Sequence, residues 1–213
     1  MLEKALNILF PPKCIFCGKI NKDSICKKCE IKINYLKKDK IKKMPNENFT
    51  YHIYAYDYKN EIREKMLDLK FQDKPETSEA FAKLLLKNEK ICRFLKSYDI
   101  IIPVPMYIKK QKMRGYNQSS LIANKIAKHL NMQYAENVLI KTKQTEMQSR
   151  LDASQRQNNV KNAYECKNMQ KIRNKKVILF DDIYTTGSTA RECTKALKEA
   201  DTKEIAVLTF AKD

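Results

Sequence analysis

Asp181 and Asp182 are followed, two residues later, by Thr185, Thr186, Gly187, Ser188 and Thr189. Each of these types has work to do around a sugar phosphate. Backbone N–H groups of residues 185–189, the hydroxyls of Thr185, Thr186, Ser188 and Thr189, and the positive end of a following helix make a concave anion site suited to a monoester phosphate. Gly187 lets the backbone approach the ligand closely. Paired carboxylates just above that phosphate can accept hydrogen bonds from two vicinal hydroxyls, directly or through a divalent cation. Phosphate plus diol describes a ribose 5-phosphate. The plainer alternative is a capped strand-to-helix turn with solvated acids, but a Ser or Thr cap needs neither an acid pair nor four hydroxyls.

A second constellation lies near the start of the chain. Cys14-x-x-Cys17 and Cys26-x-x-Cys29 are two knuckles separated by eight residues, which brings four soft thiolates within tetrahedral reach of one Zn²⁺. Four protein thiolates leave no open position for water or substrate, so the metal's role is structural. A disulfide reading needs an oxidising compartment, and a redox motif needs only one Cys-x-x-Cys.

These residues need elements to hold them. Residues 177–180, Val-Ile-Leu-Phe, lack polar alternation, as expected of a strand buried on both faces of a parallel sheet. The acid pair then ends that strand, and Ser188 or Thr189 caps a helix over 191–200. Residues 205–210 read as a further internal strand. An earlier one, over 99–104, is followed by a basic loop through Arg114 and a helix whose face is Leu121, Ile122, Ile126 and Leu130. Ile62, Met66 and Leu69 mark another helix, and residues 79–86 another. Residues 49–58 read as a strand carrying Tyr51, Tyr54, Tyr56 and Tyr58, whose rings either pack one face or stack on bases. Leu2, Leu6, Leu9 and Phe10 share a short helix that Pro11 and Pro12 stop. The expectation is an α/β fold, a parallel sheet flanked by helices over 49–213, behind a small zinc module over 1–48 with its linker at 44–48. No span has the apolar length to cross a bilayer, and Glu3 interrupts the apolar start without a small-residue cleavage site after it, which predicts a cytoplasmic protein without membrane insertion.

Charge points to a partner. Lys and Arg number 43 against 25 Asp and Glu, a formal +18, which implies a polyanion such as nucleic acid unless the lysines are merely a compositional habit. The excess is spread. Residues 1–48 hold twelve Lys against five acids, residues 100–135 six cations and no acid, and residues 141–176 ten cations against three acids. Lys109, Lys110, Lys112, Arg114, Arg150 and Arg156 are the candidate nucleic-acid contacts. Arg114 also suits a ligand phosphate, since its planar fork binds phosphate oxygens bidentately.

The stretch Asp-Asp-Ile-Tyr-Thr-Thr-Gly-Ser-Thr at 181–189 resembles the ribose-phosphate loop of type I phosphoribosyltransferases. The resemblance implies ribose on Asp181 and Asp182, 5-phosphate on Thr185, Thr186, Gly187, Ser188 and Thr189, and Arg114 beside the pyrophosphate of phosphoribosyl pyrophosphate (PRPP) or a PRPP-like ligand carrying Mg²⁺. It also implies a flap over the ligand that contains Gln148, Arg150 and Arg156. Phe-Pro-Pro-x-Cys-x-x-Cys-Gly at 10–18, Pro-Val-Pro at 103–105, Arg-Gly-Tyr-Asn-Gln at 114–118 and Gln-x-Arg-Leu with Arg-x-Asn-Asn over 148–159 extend the likeness across the chain to the ComF (ComFC) competence proteins. That family implies handling of incoming single-stranded DNA in the cytoplasm during natural transformation, with a DNA-uptake helicase or recombination proteins as protein partners. The alternative is an active phosphoribosyltransferase in which Asp181 and Asp182 are catalytic. Met106-Tyr107-Ile108-Lys109-Lys110 lacks the small, glycine-rich residues that let pyrophosphate approach the backbone, and no base-recognition segment is visible. Both features weigh toward binding. A zinc-anchored DNA clamp with a vestigial pocket is the third reading.

Overall fold

The computed structural model describes residues 11–144 and 160–213. The helix expected before Pro11, and Gln148, Arg150 and Arg156, lie outside the described residues. In chain order the principal elements are α1 (Lys27–Ile33), β1 (Lys37–Lys43), β2 (Tyr51–Asp57), α2 (Asn60–Phe71), α3 (Thr77–Leu86), α4 (Glu89–Leu95), β3 (Ile100–Pro103), α5 (Ile108–Arg114), α6 (Gln118–Leu130), β4 (Gln133–Tyr134), β5 (Leu139–Lys141), β6 (Tyr164–Cys166), β7 (Lys176–Tyr184), α7 (Ser188–Lys198) and β8 (Glu204–Lys212).

Apolar runs without alternation went to the middle of one sheet. Its order is β1-β2-β8-β7-β3-β4, parallel throughout except for β1, which lies antiparallel on β2. Both faces of β7 and β8 are covered: Ile178, Phe180, Leu208 and Phe210 pack with Phe81, Ile122 and Ile126, while Val177, Leu179 and Val207 pack with Cys193 and Leu197. β5 and β6 form a separate antiparallel pair, which packs on α7. Helix α2 buries Ile62, Met66 and Leu69, the face expected of it. Asn117 caps α6 by accepting the Ser119 N–H at 3.1 Å.

Two local expectations change. The strand expected to stop at the acid pair continues to Tyr184, because β8 runs beside it and pairs as far as Lys212. Asp181 and Asp182 therefore lie inside β7. The basic loop after Pro105 is a helix, α5, with no buried residue and a left-handed Gly115 (φ 84°) at its end. Of the two readings of the strand tyrosines, packing holds for Tyr54 and Tyr56, which are 7% and 3% exposed, the Tyr56 ring stacking on Phe210 at 5.1 Å. Residues 37–43 form the edge strand of the main sheet, beside β2.

The four cysteine sulfurs lie within 4.8 Å of one another. Short backbone bonds shape the knuckles, with Gly18 N–H donating to Cys14 O at 2.8 Å and Ile15 N–H to Ser24 O at 3.0 Å. Burial pushes the Cys14 thiol up, but backbone N–H groups of Cys26, Cys17 and Phe16 outweigh it and bring its pKa down to about 6. Cys29 is raised instead, by burial first and then by its three neighbouring thiols, a repulsion that a bound dication removes. The set fits a structural, tetrahedral zinc site. Ile25, Ile33 and Leu36 belong to the same apolar cluster as Ile62, Met66 and Phe81, so the knuckles share the core of the sheet.

Two outcomes follow from this architecture. The purified chain should carry one zinc per molecule, and Cys26→Ser should lose it and lower the melting temperature, because metal binding is folding energy in such modules; elemental analysis and a thermal melt decide the matter, and a metal-free wild type overturns it. The second outcome concerns His52, which is 1% exposed, lies 3.0 Å from Thr209 Oγ1, and is held down to a pKa of about 4 by burial and by Lys212 and Lys42. A depressed folded pKa means that stability present above pH ~6.5 is lost as pH falls toward about 4, on the order of 3 kcal/mol in all. Urea titrations should show that acid slope in wild type and a flatter one in His52→Phe.

Candidate functional site

A cavity of about 350 Å³ opens at the C-terminal ends of β2, β7 and β8. This is where open α/β sheets bind ligands, beside the point at which successive strands are added in opposite directions. Here the change of direction falls between β3 and β7. Asp181, Asp182, Thr185, Gly187, Ser188 and Thr189 all line the cavity. Thr186 does not; its hydroxyl turns to Ser188 Oγ at 2.8 Å.

Among the described residues, the 185–187 turn leaves its backbone amides without carbonyl partners: none accepts the N–H of Thr185, Thr186 or Gly187. Gly187 itself, with φ 79°, caps α7 in place of the Ser188 or Thr189 cap expected from the sequence, and no side chain supplies the cap bond. A Cβ at this position would overlap the Tyr184 phenol, so the residue is glycine for space as well as for its left-handed backbone. Tyr184 is fixed in turn by stacking on His52, ring centroids 4.0 Å apart. From the other side Arg191 donates to Thr186 O at 2.7 Å and to Glu47 Oε1 at 2.9 Å. His52, Tyr184, Arg191 and Glu47 are supports that the sequence did not reveal; only Tyr184, inside the Asp-Asp-Ile-Tyr run, gave a signal.

Asp181 Oδ1 accepts the Ser119 hydroxyl at 3.1 Å and the Asp182 N–H at 2.9 Å. Asp182 is 3% exposed, and its Oδ1 accepts the Ile183 N–H at 3.0 Å. Lys70 Nζ stands 2.7 Å from Asp182 Oδ2 as an ion pair, and that oxygen is buried and accepts no hydrogen bond. Asp181 keeps a partly open edge while protein atoms crowd its other sides. Burial first and the Asp182 charge second push its carboxyl up to about 8, against the pull of Lys70. Near neutral pH the Asp181 carboxyl therefore tends to keep its proton. Lys70 and Arg63 line the cavity from α2; two turns apart on one helix face, they carried no sequence signal beyond that spacing.

Lys109, Lys110 and Lys112 stand exposed on α5. Arg114, at its end, holds its guanidinium 5.4 Å over the Phe71 ring and donates to Gln118 Oε1 at 2.6 Å. The Asp182 charge acts on both Lys110 and Arg114, yet neither lines the cavity. Ile108, Met113 and Phe71 are exposed among these cations, at 55%, 89% and 52%.

Residues 117–213 match the family model of the phosphoribosyl transferase domain, and residues 5–41 that of the double zinc ribbon domain. Competence protein F of Haemophilus influenzae is 34% identical over 147 residues, covering 67% of this chain and 64% of that protein. DNA utilization protein YhgH of Escherichia coli K12 is 30% identical over 144 residues, covering 66% and 63%. The match thus spans less than two thirds of these relatives' own length. Among solved structures, adenine phosphoribosyltransferase from Thermoanaerobacter pseudethanolicus aligns with 86% of this chain and 99% of its own, at 12% identity and a TM-score of 0.42. No helix among the described residues is long and apolar enough to cross a membrane. With a zinc-ribbon start, a phosphoribosyl transferase end and these relatives between, the chain belongs to the ComF family of competence proteins and has a type I phosphoribosyltransferase fold behind a four-cysteine zinc module.

Proposed function

We propose that this chain handles incoming single-stranded DNA in the cytoplasm during natural transformation, and that its cavity binds the ribose 5-phosphate part of a PRPP-like ligand. The observation that carries the pocket reading is the placement, around one cavity, of N–H groups without acceptors and a carboxylate pair. The first group takes a phosphate, the second a diol. Any Mg²⁺ enters with the ligand's pyrophosphate, since Mg²⁺ prefers to keep waters and phosphate oxygens around it. The DNA reading rests on the exposed α5 cations and on the names of the relatives, competence protein F and DNA utilization protein YhgH. Phe71, exposed with Arg114 above it, offers a surface on which a base can stack. A DNA-uptake helicase or a recombination protein is the proposed protein partner.

Catalysis is the lesser reading. Transfer from PRPP requires the pyrophosphate to leave toward cations and amides. After β3, residues 104–107 hold no glycine that would let a pyrophosphate approach the backbone, and they lead into a helix of exposed lysines. Binding is therefore the proposed role, with residues 1–48 as a zinc module and residues 49–213 as the ligand-binding part.

Calorimetry with PRPP and Mg²⁺ should show binding that the Asp181→Asn, Asp182→Asn double variant weakens, each lost charge-assisted bond costing roughly 1.5–3 kcal/mol. A carboxyl raised to about 8 must lose its proton before both acids can accept ribose hydroxyls. Affinity should accordingly rise with pH up to about 8 and level off above it, and the double variant should show no such rise. Unchanged affinity in the variant removes the pocket assignment.

For DNA, fluorescence anisotropy with a labelled single strand should show log K falling with log salt by about 0.7 per phosphate contact, hence by roughly 3 to 4 for four to six contacts. Lys109→Glu with Lys110→Glu and Arg114→Glu should weaken binding and flatten that slope. A triple variant that binds like wild type assigns the charge to a solvated surface.

A further inference from the structure

We infer that the Lys70 ammonium does at the acid pair the work of a divalent cation, so that this cavity takes a sugar phosphomonoester, ribose 5-phosphate, without any metal ion. The inference rests on the ribose-phosphate reading above and narrows it.

Asp182 Oδ2 is the one oxygen of the pair that is buried and accepts no hydrogen bond, and Lys70 Nζ already stands 2.7 Å from it. Mg²⁺ demands about six oxygens at roughly 2.0–2.1 Å in a near-octahedral shell. A dication on Oδ2 would sit against an ammonium that is only 20% exposed and comes from the packed helix α2. The Asp181 side offers little more, because its Oδ1 is already held by the Ser119 hydroxyl and the Asp182 N–H. Nor does the site lack positive charge. Lys70, Lys110 and Arg114 act on Asp182, and Lys141 acts on Asp181, so the pair is ringed by cations.

The same geometry suits a hydroxyl. A sugar O–H both donates and accepts; a carboxylate only accepts and an ammonium only donates. Lys70 and both aspartates line the cavity together, which lets a ribose hydroxyl donate to a carboxylate while accepting from Lys70. A metal ion would displace the second of those partners. The phosphate at the other end of the ligand needs no metal either, since the 185–187 amides receive it.

The test is calorimetry of ribose 5-phosphate in excess EDTA and in excess MgCl₂, with wild type, Lys70→Met and Lys70→Arg. Wild type should bind equally well in the two buffers, to within about twofold. Lys70→Met should lose roughly tenfold in EDTA and regain it with Mg²⁺, while Lys70→Arg keeps metal-independent binding. Wild-type binding that appears only with Mg²⁺ overturns this inference and leaves the ribose-phosphate reading standing. So does a Lys70→Met variant that binds like wild type in EDTA. Wild type that binds in neither buffer removes the ribose-phosphate reading, and the inference falls with it.

Discussion

A strand buried on both faces cannot carry charge along its length, and β7 obeys that constraint. Between α6 on one side and α7 on the other, Val177, Ile178, Leu179 and Phe180 are fully buried. Charge becomes affordable only where the sheet opens. Asp181 and Asp182 occupy that place, still paired with β8 through their backbone, and two residues later Tyr184 ends the strand. The Tyr184 ring then sets the turn: it fills the space that any side chain at 187 would need, and His52 holds it from behind. The spacing between acids and turn is thus fixed by strand pleat and by one aromatic stack, both rigid elements. Loop flexibility has little part in it.

The zinc module depends on the same core. Ile25, Ile33 and Leu36 sit in the cluster that also holds Met66 and Phe81, while Lys32 and Tyr35 both reach Glu61 on α2, at 3.1 and 2.8 Å. Exposed ion pairs of this sort add little by themselves. Their use is orientation: α2 carries Glu61 at its start and Lys70 near its end, so the helix that meets the zinc module also presents the ammonium to the acid pair. A hydrophobic junction with a polar rim keeps those two ends in register.

What the sequence disclosed follows from how strongly each feature constrains it. Cys-x-x-Cys twice, and four apolar residues in a row before two acids, admit few structures, and the cysteines, the buried strand and the hydroxyl turn were all legible. Helix α2 was legible too, through Ile62, Met66 and Leu69. Helix α5 was not, because it buries nothing; with Ile108 and Met113 facing solvent there is no apolar face for periodicity to detect. The length of β7 was hidden because pairing with β8, not composition, carries a strand through two aspartates. Tyr54 and Tyr56 left two readings open because, on a strand covered on both faces, alternation of aromatic and aliphatic residues says nothing about exposure. Lys70 was one lysine among many, and only the fold brings it to Asp182.

The two proposed phosphate ligands call for opposite kinds of surface, and the chain presents an enclosed turn and an open basic helix. A terminal monoester presents three free oxygens and ends the molecule, so it can enter a cavity lined by Thr185, Gly187, Ser188 and Thr189. A DNA diester presents two oxygens and continues in both directions, which suits side chains standing free on a surface. Helix α5 supplies those without burying any of them. A flexible ammonium on such a helix adds attraction without geometric selection. The enclosed turn selects by shape and adds no net charge. A basic chain with formal charge +18 needs that separation: were the cavity lined by free lysines, any strand passing over the surface would compete for it. The acid pair adds a further filter, since with Lys70 already on Asp182 its free acceptors reward a ligand that brings a diol as well as a phosphate.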